Sequence, residues 1–286
     1  MSQYYRPNGF NLMPEVTKNL LIINFLFFVG TLVLQSSFGI DLNNLLGLHY
    51  WSSSAFRPYQ FITYMFLHGS LQHILFNMLA LWMFGSAIEN YWGPRRFLTY
   101  YLICGIGAAI THYGVFYFQA AELNSLFESF YAAPSEIKLQ NLVNVAMTSG
   151  LDESQNIRLE SFINAYNSTT ALDVRAGINM AKGFLPELKD MILSKQLVVG
   201  ASGGVFGLLL AFGMLFPNQY VYVYFALPIK AKYFVIIYGI IELFSGIANR
   251  SGDNVAHFAH LGGMLAGIIL ILIWRRRPSR FFDDYS

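Results

Sequence analysis

Apolar residues along this chain come in long blocks, without the strict alternation of a half-buried strand. The first block, NLLIINFLFFVGTLVLQ, runs from Asn19 to Gln35 behind a polar leader. Later blocks are of similar length, and a helix needs roughly 20 apolar residues to cross the hydrocarbon of a bilayer. The pattern predicts six spans, at 19–36, 71–90, 97–118, 198–216, 230–248 and 254–274. The third is free of charge from Phe97 to Ala121, and the sixth stops at Trp274-Arg275-Arg276-Arg277. Glu242 interrupts the fifth. The stretch LLGLHYWSSSAFRPYQ between the first two spans has mixed character and reads as short interfacial helices.

The pattern changes at 119–195, where charges are spread through ESQNIRLESFINAY and VRAGINMAKGFLPELKDMI while apolar residues keep a helical spacing. This predicts a helical extramembrane insertion. The expected fold is therefore an all-α polytopic membrane protein: a leader at 1–18, helices 1–3 within 19–118, the insertion at 119–195, helices 4–6 within 196–274 and a tail at 275–286.

Composition supports that class. Hydrophobic residues make up 55% and charged residues 12%, against about 25% charged in soluble domains. A net charge of +2 gives no case for a nucleic-acid partner. The single cysteine, Cys104, excludes an internal disulfide. The first block lacks a small-residue cleavage site and reads as a retained helix. Basic residues are unevenly placed: Arg6, Lys18, Arg95, Arg96, Lys230, Lys232, Arg275, Arg276, Arg277 and Arg280 flank one side, whereas the short loops of the other hold Arg57 and Arg250. By the positive-inside rule both termini are expected in the cytoplasm, with a bacterial inner membrane as the expected location and the bilayer as a partner. Asn167-Ser168-Thr169 is a glycosylation acceptor only in a cell that glycosylates.

Chemistry enters at VVGASGGVFG, Val198 to Gly207. Gly200-Ala201-Ser202-Gly203-Gly204 matches the nucleophile elbow of soluble hydrolases in letters, but that turn requires a preceding strand and an alternation of strands and helices. Taken alone, Gly203 and Gly207 read better as a small-residue face for helix packing. The last span alters this. In AHFAHLGGMLAG, His260, Gly263 and Gly267 share one helical face, so Gly263 and Gly267 can meet Gly203 and Gly207 and bring His260 beside Ser202. A Ser–His pair would then result. His257 lies one turn earlier on that face, and spacing does not choose between the two histidines. On the second span His73 and Asn77 are four apart, and both can donate hydrogen bonds to an oxyanion. No set of metal ligands is apparent, and no cofactor is expected.

Together GASG, His-x-x-x-Asn and AHLGGMLAG resemble the rhomboid intramembrane serine proteases, over roughly 50–118 and 196–274. The resemblance implies a six-helix rhomboid bundle with Ser202 as nucleophile, His260 (not His257) as base, and His73 and Asn77 as oxyanion donors beside the Ser202 amide. It implies membrane proteins with a transmembrane helix as substrates, cut beside a small residue. Its alternative is a non-catalytic rhomboid-like binder of membrane proteins. Glu89 also matches a family position. Tyr59-Gln60 stand where some members carry Trp-Arg, and Phe206 stands where an aromatic packs on the base. The 119–195 insertion has no counterpart in the compact family core.

Overall fold

A computed structural model describes residues 10–195, 197–223, 226–248 and 256–276. Arg6, Arg250, Arg277 and Arg280 of the charge count lie outside the described residues. So do 1–9 of the leader, 277–286 of the tail and 254–255 of the sixth span.

The chain runs α1 (Glu15–Phe38), α2 (Leu42–Leu46), β1 (Leu48–His49), α3 (Gln60–Thr63), a 3-10 turn (Tyr64–Phe66), α4 (Leu71–Ala80), a π turn (Leu81–Gly85) and α5 (Ser86–Trp92). It continues with α6 (Pro94–Ala132), α7 (Glu136–Thr148), α8 (Glu153–Leu172), α9 (Val174–Ser194), β2 (Leu197–Val198) and α10 (Ser202–Leu215). The hairpin of β3 (Tyr220–Val223) and β4 (Leu227–Lys230), α11 (Ala231–Ala248) and α12 (His257–Arg276) complete it.

Five helices among the described residues are long and apolar enough to cross a membrane: α1, the continuous Leu71–Trp92, α6, α11 and α12. The remaining predicted span is carried by α10, which has only 14 residues. Their burial is the inverse of a soluble core. On α1 the buried residues are Thr17, Leu20, Asn24 and Thr31, while Ile22, Phe25, Leu26 and Leu32 are exposed. On α11, Ile236, Ile240 and Phe244 face outward and Glu242 is buried. Exposed apolar surface this continuous requires a nonpolar surround, and the chain is an integral, multi-pass membrane protein.

Contacts divide the described residues into two compact units. The first contains residues up to 47, 61–112 and those from 199 onward. Several buried polar side chains inside it are satisfied by helix ends and carbonyls, as a membrane interior favours. The N-terminus of α1 begins at Pro14, which has no capping side chain. Glu89 supplies the cap, accepting from the amides of Val16 and Thr17 at 2.9 and 2.7 Å and from Thr17 Oγ1 at 2.8 Å. A carboxylate there also meets the positive end of the helix dipole. Tyr64 donates its hydroxyl to the Gly105 carbonyl at 2.7 Å, and Tyr100 to that of Gly207 at 2.9 Å.

The second unit comprises 48–60 and 113–198. Its core gathers Phe127, Leu142, Leu159, Phe162, Phe184 and Leu188 from α6 to α9. The helix α6 continues unbroken past 118 to Ala132, so the polar segment begins within a helix and not at its end. Two residues of β1 pair antiparallel with β2, Leu48 with Val198 and His49 with Leu197. Gln60, fully buried, knits the 48–60 segment: its Oε1 accepts from the amides of His49 and Arg57, and its Nε2 donates to the Ala55 carbonyl.

Asp152 starts α8 with a capping box shared with Gln155. Its carboxyl is held below the usual carboxylate range by Lys195, whose Nζ lies at 2.9 Å, then by the Ser154 hydroxyl and the Gln155 amide. A lowered native pKa contributes stability above the unfolded value, about 3.9, and that contribution is lost as pH falls through and below it. Because the Asp152 side chain is half exposed, the pair contributes about 0–1 kcal/mol. Asp152→Asn, which keeps a capping oxygen, should lower the thermal midpoint of the intact protein slightly at pH 7. The difference should vanish in melts at acid pH, and an increase there would contradict this account.

Candidate active site

Ser202 is the first residue of α10, so its amide lacks an intrahelical acceptor and points out at the positive end of the helix. The turn before it depends on Gly200, whose φ of +136° disfavours any side chain. Its amide donates to the Tyr64 carbonyl at 2.9 Å. A Cβ on Gly200 would stand 2.9 Å from His73 Cε1 and Nε2 and 3.5 Å from Ser202 Oγ. The imidazole of His73 therefore lies directly against the turn that carries the serine.

His73 and Asn77 come from the first turns of α4, whose N-terminus is capped by Ser70 accepting from the His73 amide at 3.1 Å. Asn77 is buried, and its Nδ2 has no hydrogen-bond acceptor among the described residues. A buried amide donor left open is costly unless something is to be bound there. His68, which the sequence reading did not single out, packs edge-on to His73 with ring centroids 5.0 Å apart. Burial, and then His73, push the His68 imidazole down to about 3, so it stays neutral.

From the other side α12 packs along α10. A Cβ on Gly263 would overlap the carbonyl of Gly203, so the two backbones touch. The pairing is narrower than the spacing predicts. Gly207 lies against Cys104 and the Gly263 carbonyl, while Gly267 lies against Tyr100 and Leu210. This contact brings His260 Nε2 to 2.9 Å from Ser202 Oγ. Phe206, one turn along α10, stacks on the His260 ring at 4.0 Å and 8°.

His257 is not beside the serine. Its Nδ1 is 2.7 Å from Oε2 of Glu242 on α11, and the same oxygen lies 2.9 Å from His260 Nδ1. Sequence spacing between α11 and α12 could not reveal this junction. Glu242, His257 and His260 are ligand-type side chains with donor atoms all within 4.8 Å of one another, a grouping the sequence reading did not anticipate. Two of those separations are shorter than the roughly 3.3 Å between ligand atoms around a tetrahedral zinc. They are hydrogen-bond lengths.

A bundle of apolar helices holding a serine hydroxyl against an imidazole defines the class: a polytopic membrane protein with a Ser–His pair inside it. The Rhomboid domain family matches residues 55–122 and 176–277, more than half of the chain, and the chain belongs to that family. The unmatched stretch within the match covers α7 and α8 and is shorter than the expected 119–195 insertion.

Among curated proteins, "Rhomboid protease GluP" of Bacillus subtilis is 35% identical over 77 residues, 27% of this chain and 14% of that protein. "RHOMBOID-like protein 12, mitochondrial" of Arabidopsis thaliana is 26% identical over 270 residues, 93% of this chain and 60% of that one. "Rhomboid-like protein 15" of the same plant is 41% identical over 59 residues, 21% of this chain and 15% of its own length. The chain thus spans less than two thirds of each of these relatives.

Proposed function

We propose that this chain is an intramembrane serine endopeptidase that hydrolyses peptide bonds in or near the transmembrane helices of other membrane proteins. The observation that carries the reading is the 2.9 Å contact between His260 Nε2 and Ser202 Oγ inside a membrane bundle. Ser202 Oγ attacks the scissile carbonyl while His260 takes its proton, and His260 then returns that proton to the leaving amine. The oxyanion accepts hydrogen bonds from the Ser202 amide, His73 and Asn77, the last already buried and open. Water then hydrolyses the acyl-enzyme, which requires the polar ends of α4, α10 and α12 to hold a wet recess shielded from lipid. A substrate helix has its own backbone groups paired, so it must unwind locally to present its peptide bond.

The charge pattern supports both termini on the cytoplasmic side and the 119–195 insertion on the opposite side. No cofactor is required by this chemistry.

The test is labelling by a fluorophosphonate probe in detergent, followed by peptide mapping. Ser202 is expected to carry the label. An unlabelled but folded protein, or a label on another serine, overturns the reading in favour of a non-catalytic binder.

A further inference from the structure

Glu242 has no place in a two-residue Ser–His scheme, yet its carboxylate is almost completely buried, 5% exposed, in a membrane bundle. Buried charge in such surroundings is expensive and marks function by default. Its Oε2 is the meeting point of two imidazoles, at 2.7 Å from His257 Nδ1 and 2.9 Å from His260 Nδ1. An ionised carboxylate can only accept hydrogen bonds, so both Nδ1 atoms must carry the protons. For His260 that leaves a lone pair on Nε2, the atom facing Ser202 Oγ at 2.9 Å. The line Glu242–His260–Ser202 is continuous, while Phe206 stacked on the ring fixes its plane.

We propose that Glu242 is a positioning residue for the reaction, the third member of a Ser202–His260–Glu242 triad, anchored in turn by His257. The inference rests on the protease reading above. It assigns Glu242 two tasks: holding His260 in the tautomer able to accept a proton, and stabilising the imidazolium once formed. In the acylation step the Oγ–carbon bond forms, the carbonyl π pair moves to the oxyanion, and the Oγ proton passes to Nε2. The oxyanion pair then re-forms the carbonyl as the carbon–nitrogen bond breaks, and the Nε2 proton leaves on the amine, giving the acyl-enzyme. Glu242 remains ionised throughout, since it keeps its acceptor role and takes no proton. His257 occupies the second donor position on Oε2 and so restrains the carboxylate.

Glu242 belongs to α11, while the base and the nucleophile belong to α12 and α10. A structural pin between α11 and α12 would satisfy the same hydrogen bonds without touching the rate, and the test must separate the two. Gln is nearly isosteric, and its carbonyl oxygen can accept from both Nδ1–H donors as Oε2 does. What it lacks is the negative charge that holds and stabilises the imidazolium. Glu242→Gln should lower kcat about 10²–10⁴-fold, the range of general-base and orienting contributions, with KM unchanged. Glu242→Asp, which keeps the carboxylate, should recover part of that loss.

The measurement is cleavage of a transmembrane substrate by the purified full-length protein, normalised to folded enzyme by thermal melting. A Gln variant that melts lower but cleaves at the wild-type rate per folded molecule overturns the inference. If Gln prevents folding, imidazole ¹⁵N spectra of the wild type decide, with the His260→Ala spectrum supplying the assignment. A proton on His260 Nδ1 supports the triad, and a proton on Nε2 sinks it. Failure of the underlying protease reading is distinct: there the wild type itself neither cleaves nor takes the fluorophosphonate label.

Discussion

Ser202→Ala and His260→Ala should each reduce cleavage to background, and the double variant should be no worse than either alone. Nucleophile and base act on the same proton across 2.9 Å, so removing one leaves the other nothing to do, and the losses do not add. Neither change should unfold the bundle. Ser202 Oγ lies at a helix N-terminus, and the contact between the α10 and α12 backbones at Gly203 and Gly263 survives both substitutions. His257→Ala should remain active but slower, by less than His260→Ala, because its imidazole restrains Glu242 and does not bond Ser202. The measurement is cleavage of a transmembrane substrate in detergent or vesicles alongside a thermal melt. A dead His257 variant beside a live His260 variant would reverse the assignment of the base.

The second large effect is expected from the donors. His73→Ala and Asn77→Ala should each slow turnover by about 10²–10³-fold, the cost of removing one oxyanion-hole donor, with little change in KM. Asn77 bonds no acceptor through Nδ2 among the described residues, so its truncation removes no native hydrogen bond from that atom and should leave stability nearly unchanged. That combination distinguishes catalysis from packing: a side chain that merely glues helices would lose stability and keep its rate. Single-turnover phosphonylation by a fluorogenic phosphonate, with release of its leaving group, locates the effect at the serine. Unchanged turnover in both variants reduces them to packing residues.

What was legible in the chain was whatever lies within one helix or one short turn. Membrane-length runs marked α1, Leu71–Trp92, α11 and α12 because the bilayer imposes a length on the sequence. GASG marked the start of α10, and the offset from His260 to Gly263 placed the imidazole on the face that meets Gly203. What was not legible depends on how separate helices turn toward each other. The partners of Glu242 on α12 follow from the rotation of α11, which no periodicity within α11 specifies. The pairing of Leu48 with Val198 joins segments far apart in sequence and only two residues long, too short for an alternation signal. The continuation of α6 beyond 118 was hidden because charge, read as a boundary, does not interrupt helix hydrogen bonding. Phe206 was expected against the base from likeness alone, and stacking at 4.0 Å gives that expectation a physical content.

The shortness of α10 bears on how this molecule responds to its lipid. Fourteen residues rise about 21 Å, well under the roughly 30 Å of a hydrocarbon slab. A helix facing lipid with such a deficit would thin the bilayer around it or tilt to escape the mismatch. The residues from Gly203 to Ala211 are all buried by neighbouring protein, while Ser202, Phe212, Met214 and Leu215 are half-buried, so most of α10 is shielded from changes in membrane thickness. The Ser202–His260 separation is held from within the bundle, by the backbone contact of Gly203 with Gly263, the Phe206 ring stacked on the imidazole and the Glu242 carboxylate at its Nδ1. Reactivity of the serine toward a small probe should therefore hold constant across vesicles of different acyl-chain length, even where delivery of a transmembrane substrate does not.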